Sequence, residues 1–350
     1  MSGLEETLAW LVDIPSPTGD EGRIATELAA RLYPALGLDG VDRFGNSLIA
    51  GHRTSRPLVI LAGHLDTVPS QGQGPARVED GRLYGLGAAD MKGGVAVMIH
   101  LLEDPAITMG PFDVVGVFYA GEEGPSAGNE LEDILGSASW MQEAELAIVM
   151  EPSDGEVQFG CNGVVNARVS FHGRSAHSAR PWLGENAIHK ASGLLAMLEG
   201  RQPNPVEIDG LIFKEVMSIT RASGGIANNI VPPTFDLNLN FRFAPHRTVE
   251  EAIELVREAA AEADEVEIID SAPAGPVDAQ HPLVEKLLAA SGSPRAAKQG
   301  WTDVARFGTR GIQAVNYGPG ETAKAHQAGE SIALSDLEEA FKALRQVLAG

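Results

Sequence analysis

Leu58-Val-Ile-Leu-Ala-Gly-His64-Leu-Asp66-Thr-Val-Pro69 and, after a polar loop, Gly85-Leu-Gly-Ala-Ala-Asp90-Met-Lys-Gly-Gly94 decide how this chain is read. The run before His64 is short, apolar and partly β-branched, as a strand buried in a parallel sheet is. His64 and Asp66 then fall where that strand ends, the edge at which ligands gather in open α/β sheets. Val95, Met98, Ile99, Leu101 and Leu102 are spaced for a helix, so Asp90 sits at a strand-to-helix turn. Taken alone, a His and an Asp near strand ends are more often structural than metal-binding. The rest of the chain has to decide.

Working outward, Asp113-Val-Val-Gly-Val-Phe-Tyr119 stops at Gly121-Glu122-Glu123-Gly124, and Leu146-Ala-Ile-Val-Met150 stops at Glu151-Pro152. Three apolar runs thus end in His64-x-Asp66, Glu122-Glu123 and Glu151, which predicts one shared rim. Asn46 to Ala50 and Gln313 to Tyr317 are further strand candidates. Helical periods run from Glu5 to Val12, through Ile24, Leu28 and Leu32, from Pro282 to Ala290 and from Leu334 to Leu348.

The pattern changes near Gly160. Val164 to Phe171, Glu215 to Arg221 and Phe235 to Phe243 alternate as antiparallel strands with one covered face do. Helical periods at Glu185 to Leu198 and Val249 to Ala263, with a last strand at Val266 to Ile269, complete a β-α-β-β-α-β order. That order predicts a ferredoxin-like α+β domain, residues 161–274, inserted into an α/β domain of residues 1–160 and 275–350 with a mostly parallel central sheet.

The chain has 350 residues, a formal charge of −22 and one cysteine. The length suits two domains. The charge argues against nucleic acid or an anionic membrane as partner. The N-terminus lacks the basic and apolar regions of a secretory signal, no apolar run approaches a membrane span, and a lone cysteine fits a reducing compartment. Together these predict a cytoplasmic protein.

The proposed rim collects His64, Asp66, Asp90, Glu122, Glu123, Glu151 and, after the last strand, His326. Like charges clustered this closely repel unless cations hold them. Imidazoles with carboxylates suit zinc, and two metals can share a carboxylate. Two metals, one bridge and a spare carboxylate make a hydrolase.

Gly63-His64-Leu-Asp66-Thr-Val-Pro69, Gly87-Ala-Ala-Asp90-Met-Lys-Gly93, Gly121-Glu122-Glu123, Glu151-Pro152 and the late His326 resemble the co-catalytic zinc aminoacylase and glutamate carboxypeptidase family. The resemblance spans the whole chain, insertion included. It implies a zinc-peptidase-like fold, two Zn2+ ions (Co2+ or Mn2+ in their place), and a homodimer formed through the inserted domain. By motif position, His64 and Glu151 bind one metal, Glu123 and His326 the other, and Asp90 bridges them. Asp66 orients the His64 ring, Glu122 is the general base, and the Asp90–Met91 peptide is cis. His177, in Ser175-Ala-His177-Ser178, serves the tetrahedral intermediate. Asn228, Asn229, Arg242 and the Gly300–Asp303 loop, with Thr302, hold substrate carboxylates.

His177-Ser-Ala-Arg-Pro-Trp-Leu-Gly-Glu-Asn-Ala-Ile-His189, Asn240-Phe-Arg-Phe-Ala-Pro245 and Gly300-Trp-Thr-Asp303 narrow the resemblance to the branch that removes succinate from an N-succinyl amino acid. Arg174, Arg180 and Arg242 are compatible with a tri-anionic substrate. Many relatives read Gly-Thr-Ser-Asp where this chain has Gly300-Trp301-Thr302-Asp303, and the bulk of Trp301 bears on the substrate contacts. Acetylornithine, another N-acyl amino acid or a dipeptide is the competing substrate class. A non-catalytic amino-acid-binding protein on the same scaffold would be favoured by loss of Glu122 or a ligand, and none is replaced. A metal-storage role has nothing in the sequence to support it.

Other features need no function. His52, His100, His172, His189, His246 and His281 lie outside the motifs. Cys161 reads as a small buried residue. Gly85-Leu-Gly87 lacks the third glycine of a dinucleotide fingerprint.

Overall fold

A computed structural model describes residues 3–277 and 280–350. The chain divides into two compact units, Met1–Gly160 with Asp278–Ala297 and Thr302–Gly350, and Cys161–Val277 with Lys298–Trp301.

The first unit is built on an eight-stranded sheet. Its order is Val41–Phe44, Ser47–Ala50, Asp113–Tyr119, Leu58–His64, Ala144–Pro152, Ala314–Gly318, Val157–Phe159 and Arg295–Ala297. The four strands from Asp113–Tyr119 to Ala314–Gly318 run parallel to one another, while the strands flanking them, Ser47–Ala50 and Val157–Phe159, pair antiparallel. Every residue of Leu58–His64 and Asp113–Tyr119 is buried, which explains the apolar runs from Leu58 to Gly63 and from Val114 to Tyr119. Because these four strands are parallel, their C-terminal ends share one edge of the sheet. His64 ends one of them, Glu151 lies at the end of another, and Glu122 and Glu123 follow a third. The helix Gly93–Glu103 starts just after Asp90 and is buried along most of its length.

Three short strands, Arg77–Glu79, Arg82–Tyr84 and Ser331–Ala333, form a separate antiparallel sheet that the sequence pattern does not announce. Three residues are too few to establish a period of two.

The second unit is a five-stranded antiparallel sheet in the order Asn204–Ile208, Leu211–Gly224, Thr234–Phe243, Gly163–His172 and Glu265–Ala272. Four of these strands have the ferredoxin-like arrangement expected from the pattern. The fifth, Asn204–Ile208, is added by a tight hairpin at Asp209-Gly210, both residues having positive φ (49° and 78°). Asp-Gly is a favoured pair for such a turn. The helices Ser192–Gly200 and Val249–Ala259 contribute Leu194, Ala252 and Val256 to the core against Phe171, Leu239 and Phe241. The helical stretch read as Glu185 to Leu198 is two helices, Ala187–Lys190 and Ser192–Gly200, the first capped by the Asn186 side chain. The Val249 helix starts in a Thr248/Glu251 capping box and ends at Ala259, before Ala263.

Among the described residues no helix is long and apolar enough to cross a membrane.

Candidate metal centre and active site

His64 is brought to the rim by its strand and is buried. Its Nδ1 lies 3.0 Å from the Asp66 backbone carbonyl and 3.5 Å from the Asp66 carboxylate. This leaves Nε2 to face outward, 3.1 Å from Asp90 Oδ1 and 3.8 Å from Glu151 Oε1. On the other side, His326 Nε2 lies 2.8 Å from Glu123 Oε1 and 3.3 Å from Asp90 Oδ2. Asp90 thus presents one oxygen to each imidazole. The peptide after it, Asp90–Met91, is cis, as the resemblance implied.

Two donor groups follow from this geometry. His64, Asp90 and Glu151 form one, and Asp90, Glu123 and His326 the other, each with ligand atoms mutually within 4.8 Å. A third combination, His64 with Glu122 and Glu123, meets the same distance. The two Asp90-centred groups use each other donor once and leave Glu122 over.

The electrostatics favour cations. Burial acts to lower the His64 pKa, but hydrogen bonds to Asp66 and Asp90 outweigh it and raise it well above the usual histidine range. Hydrogen bonds from its ring to the Asp90 and Glu123 carboxylates lift His326 to about 10. Burial would raise Asp90, yet the two imidazoles hold it well below the usual carboxylate range. Carboxylates that draw positive charge this strongly, in a nitrogen and oxygen donor set, fit divalent metals such as zinc.

Glu122 differs from the rest. Burial pushes its pKa well up; His64 opposes this, and Glu151, Asp303 and Glu123 add to it. The turn that carries it starts at Gly121, whose φ is +82° and where an added Cβ would stand 2.2 Å from the Gly128 carbonyl oxygen. Only glycine fits there.

In the second unit, the structure brings His177 beside the Asn228-Asn229 segment. His177 pairs with Ile230 as an isolated bridge, and the Ser178 amide donates to the Asn229 carbonyl at 2.9 Å. His177, Asn228 and Asn229 are exposed. Arg242 is half-buried between Phe241 and Phe243, which face the core, and its guanidinium has no hydrogen bond or ion pair among the described residues.

The Gly300–Asp303 loop is divided. The Trp301 indole N–H donates to the Pro273 carbonyl in the second unit. Thr302 is buried in the first, where its hydroxyl donates to Asn316 Oδ1 at 2.9 Å. Asp303 is fully buried and receives the Tyr119 hydroxyl at 2.7 Å, the Asn129 amide at 3.2 Å and Arg306 Nε at 2.8 Å. The inward roles of Thr302 and Asp303 were not visible in the sequence, where both read as loop residues available to substrate.

Two further contacts carried no sequence signal. Gln71 and Gln73 donate to the backbone carbonyls of His326 and Gln327, each at 2.9 Å. They brace a histidine whose own φ is +59°. The histidines outside the motifs include His52, which contacts the Leu36 carbonyl, and His281, which caps the Pro282–Ser291 helix. Cys161 is buried.

Comparison with known proteins bears on this centre. Residues 60–350 match the model of peptidase family M20/M25/M40. The chain belongs to that family. It is a metal-dependent amide hydrolase, as the motifs around His64, Asp90 and Glu122 led us to expect. It is 40% identical over 350 residues to a protein of Mycobacterium tuberculosis assigned as a succinyl-diaminopimelate desuccinylase, covering 99% of this chain and 98% of that one. It is 39% identical to the succinyl-diaminopimelate desuccinylase of Corynebacterium glutamicum, covering 97% and 94%. The narrower resemblance read from His177–His189, Asn240–Pro245 and Gly300–Asp303 points to the same relatives. The M20 family metallo-carboxypeptidase of Sulfolobus solfataricus shares the fold, with a TM-score of 0.80 at 17% identity over 100% of this chain and 99% of that one.

Proposed function

We propose that this family member is a two-metal amide hydrolase that releases succinate from N-succinyl-L,L-diaminopimelate, in the biosynthesis of diaminopimelate and lysine. The observation that carries the metal centre is Asp90, whose two oxygens face His64 and His326 at 3.1 and 3.3 Å. His64 and Glu151 would hold one cation, Glu123 and His326 the other, with Asp90 shared. Zinc suits these donors, and cobalt or manganese would substitute. Held by these donors, two such cations would supply the acidity for a water and the polarisation of the scissile carbonyl.

The remaining work falls to the protein. Glu122 takes a proton from the attacking water at its carboxylate and returns it to the leaving amine. Its pKa, raised by burial, supports this, because a carboxyl held above the usual carboxylate range is a better acceptor for the proton it takes and then returns. Asp66 holds the His64 ring in place. Arg242, whose guanidinium has no hydrogen bond or ion pair among the described residues, receives a substrate carboxylate as a two-pronged donor, helped by Asn228 and Asn229. His177 donates to the developing oxyanion. The assembly we favour is a homodimer, and a cytoplasmic setting fits the single thiol of Cys161.

The substrate rests on the relatives of 40% and 39% identity. The test is release of succinate from N-succinyl-L,L-diaminopimelate by zinc-loaded enzyme, compared by kcat/KM with N-acetylornithine and a panel of dipeptides. We expect the succinyl substrate to lead. A higher kcat/KM for an acetylated amino acid would overturn the assignment.

A further inference from the structure

We infer that Glu330 is a positioning residue for the metal centre, fixing the turn from which Asp90 projects. This rests on the reading that Asp90 bridges two metals. Glu330 is buried, only 2% exposed as a residue. Its Oε2 accepts the Gly87 amide at 3.0 Å, and its Oε1 accepts the amides of Ala89 and Asp90 at 3.0 and 3.1 Å. Its backbone carbonyl accepts the Gly85 amide at 3.1 Å. Four amides between Gly85 and Asp90 therefore converge on one residue.

The turn needs this partner. Gly87, just before, is left-handed (φ 76°, ψ 4°), and Asp90 (φ −122°, ψ 96°) is not helical, so no preceding turn of helix supplies carbonyls for the amides of Ala89 and Asp90. Unpaired, buried amides are costly. A carboxylate is the suitable group, since it offers only acceptors and ionised acceptors make stronger hydrogen bonds. A glutamine in its place would turn an N–H toward an N–H.

Placement in the chain gives the clamp its consequence. Glu330 lies four residues after His326 and leads into the strand Ser331–Ala333, which pairs with Arg82–Tyr84. One short segment thus carries the last metal donor and grips the turn that carries the shared one. Fixing the backbone of Asp90 fixes where its carboxylate stands relative to both imidazoles. Because Asp90 serves both positions, loosening the clamp weakens both metals together.

The test is metal affinity in wild type, Glu330→Gln and Glu330→Asp, each loaded with zinc and titrated against a competing chelator. Circular dichroism and melting of each protein run alongside. We expect two equivalents in wild type, a loss of about 10–100-fold at both sites in Glu330→Gln, and a smaller loss in Glu330→Asp, which keeps a shortened carboxylate. Folded variants that melt earlier but bind both metals as tightly as wild type would overturn the inference, because Glu330 would then be structural only. If the variants do not fold, hydrogen exchange in wild type decides. Coupling is reciprocal, so removing metal must speed exchange at Gly87, Ala89 and Asp90. Unchanged exchange there would overturn the clamp. Fewer than two equivalents in wild type would instead defeat the two-metal reading on which it rests.

Discussion

Asp66 Oδ1 accepts the backbone amide of Glu122 at 3.0 Å. Its other oxygen accepts the Glu123 amide at 3.0 Å and the Thr18 hydroxyl at 2.9 Å. The same residue touches the His64 ring through its carbonyl at 3.0 Å. Asp66 therefore ties the strand end carrying His64 to the turn carrying the spare carboxylate and a metal donor. Sequence reasoning gave it only the histidine. Asp66→Asn leaves an N–H facing an N–H at that turn. We expect kcat to fall about 10–100-fold, with zinc affinity lowered at both positions. Chelator competition beside steady-state kinetics checks this.

Asp90 and His326 should separate in metal analysis. Asp90 touches both donor groups, and His326 only one. Asp90→Ala is expected to purify with both metals weakened. His326→Ala is expected to keep the metal held by His64 and Glu151. Elemental analysis after gel filtration reads the stoichiometry directly. One tightly held zinc in Asp90→Ala would show that the carboxylate is not shared.

Glu122 is expected to move protons and not to bind metal. Glu122→Gln preserves shape and removes the base. Turnover should fall by about 10²–10⁴-fold while both metals remain. A variant that lost metal but kept its turnover per bound pair would move Glu122 into the ligand set, as its distance from His64 and Glu123 permits.

The rim was legible because its chemistry is local. An apolar strand ending in His64-x-Asp66 announces the edge of the sheet, and the donor set becomes readable because two further apolar runs end in Glu122-Glu123 and Glu151 at that same edge. The alternation from Phe235 to Phe243 likewise gave the inserted sheet. The supports were hidden because they join residues far apart in the chain. Glu330 binds amides some 240 positions earlier, and Gln71 reaches the carbonyl of His326, 255 positions away. Contacts to backbone leave no mark on residue periodicity. Asp209-Gly210 is a different case. The hairpin signal is present there, but the exposed edge strand before it has no apolar alternation to mark it as a strand.

Arg242 is expected to anchor the substrate. It stands half-buried on the Thr234–Phe243 strand, opposite in direction to Phe241 and Phe243. Arg242→Lys keeps the charge and removes the fork. KM for the succinylated substrate should rise at least about tenfold, and less for an analogue with a neutral acyl group. Equal rises for both would make Arg242 a structural residue.

His177 is expected to act across a dimer. It is exposed, and it belongs to the unit that carries none of the metal donors. Trp182 and Leu183, five and six residues on, are 74% and 59% exposed, a large apolar surface beside it. The strands Asn204–Ile208 and Glu265–Ala272 lie at the two edges of the inserted sheet. An edge strand can pair with its own copy about a two-fold axis. Such pairing would let the His177 of one protomer serve the site of its partner. The measurement uses two inactive variants, His177→Ala and Glu122→Gln, carrying different tags and expressed together. If His177 acts in trans, a mixed dimer holds one site with Glu122 intact and His177 supplied by the neighbour, and activity returns toward half that of a wild-type site pair. If it acts in cis, every site keeps one defect. Mixed dimers recovered through both tags that stay inactive would rule out the shared site.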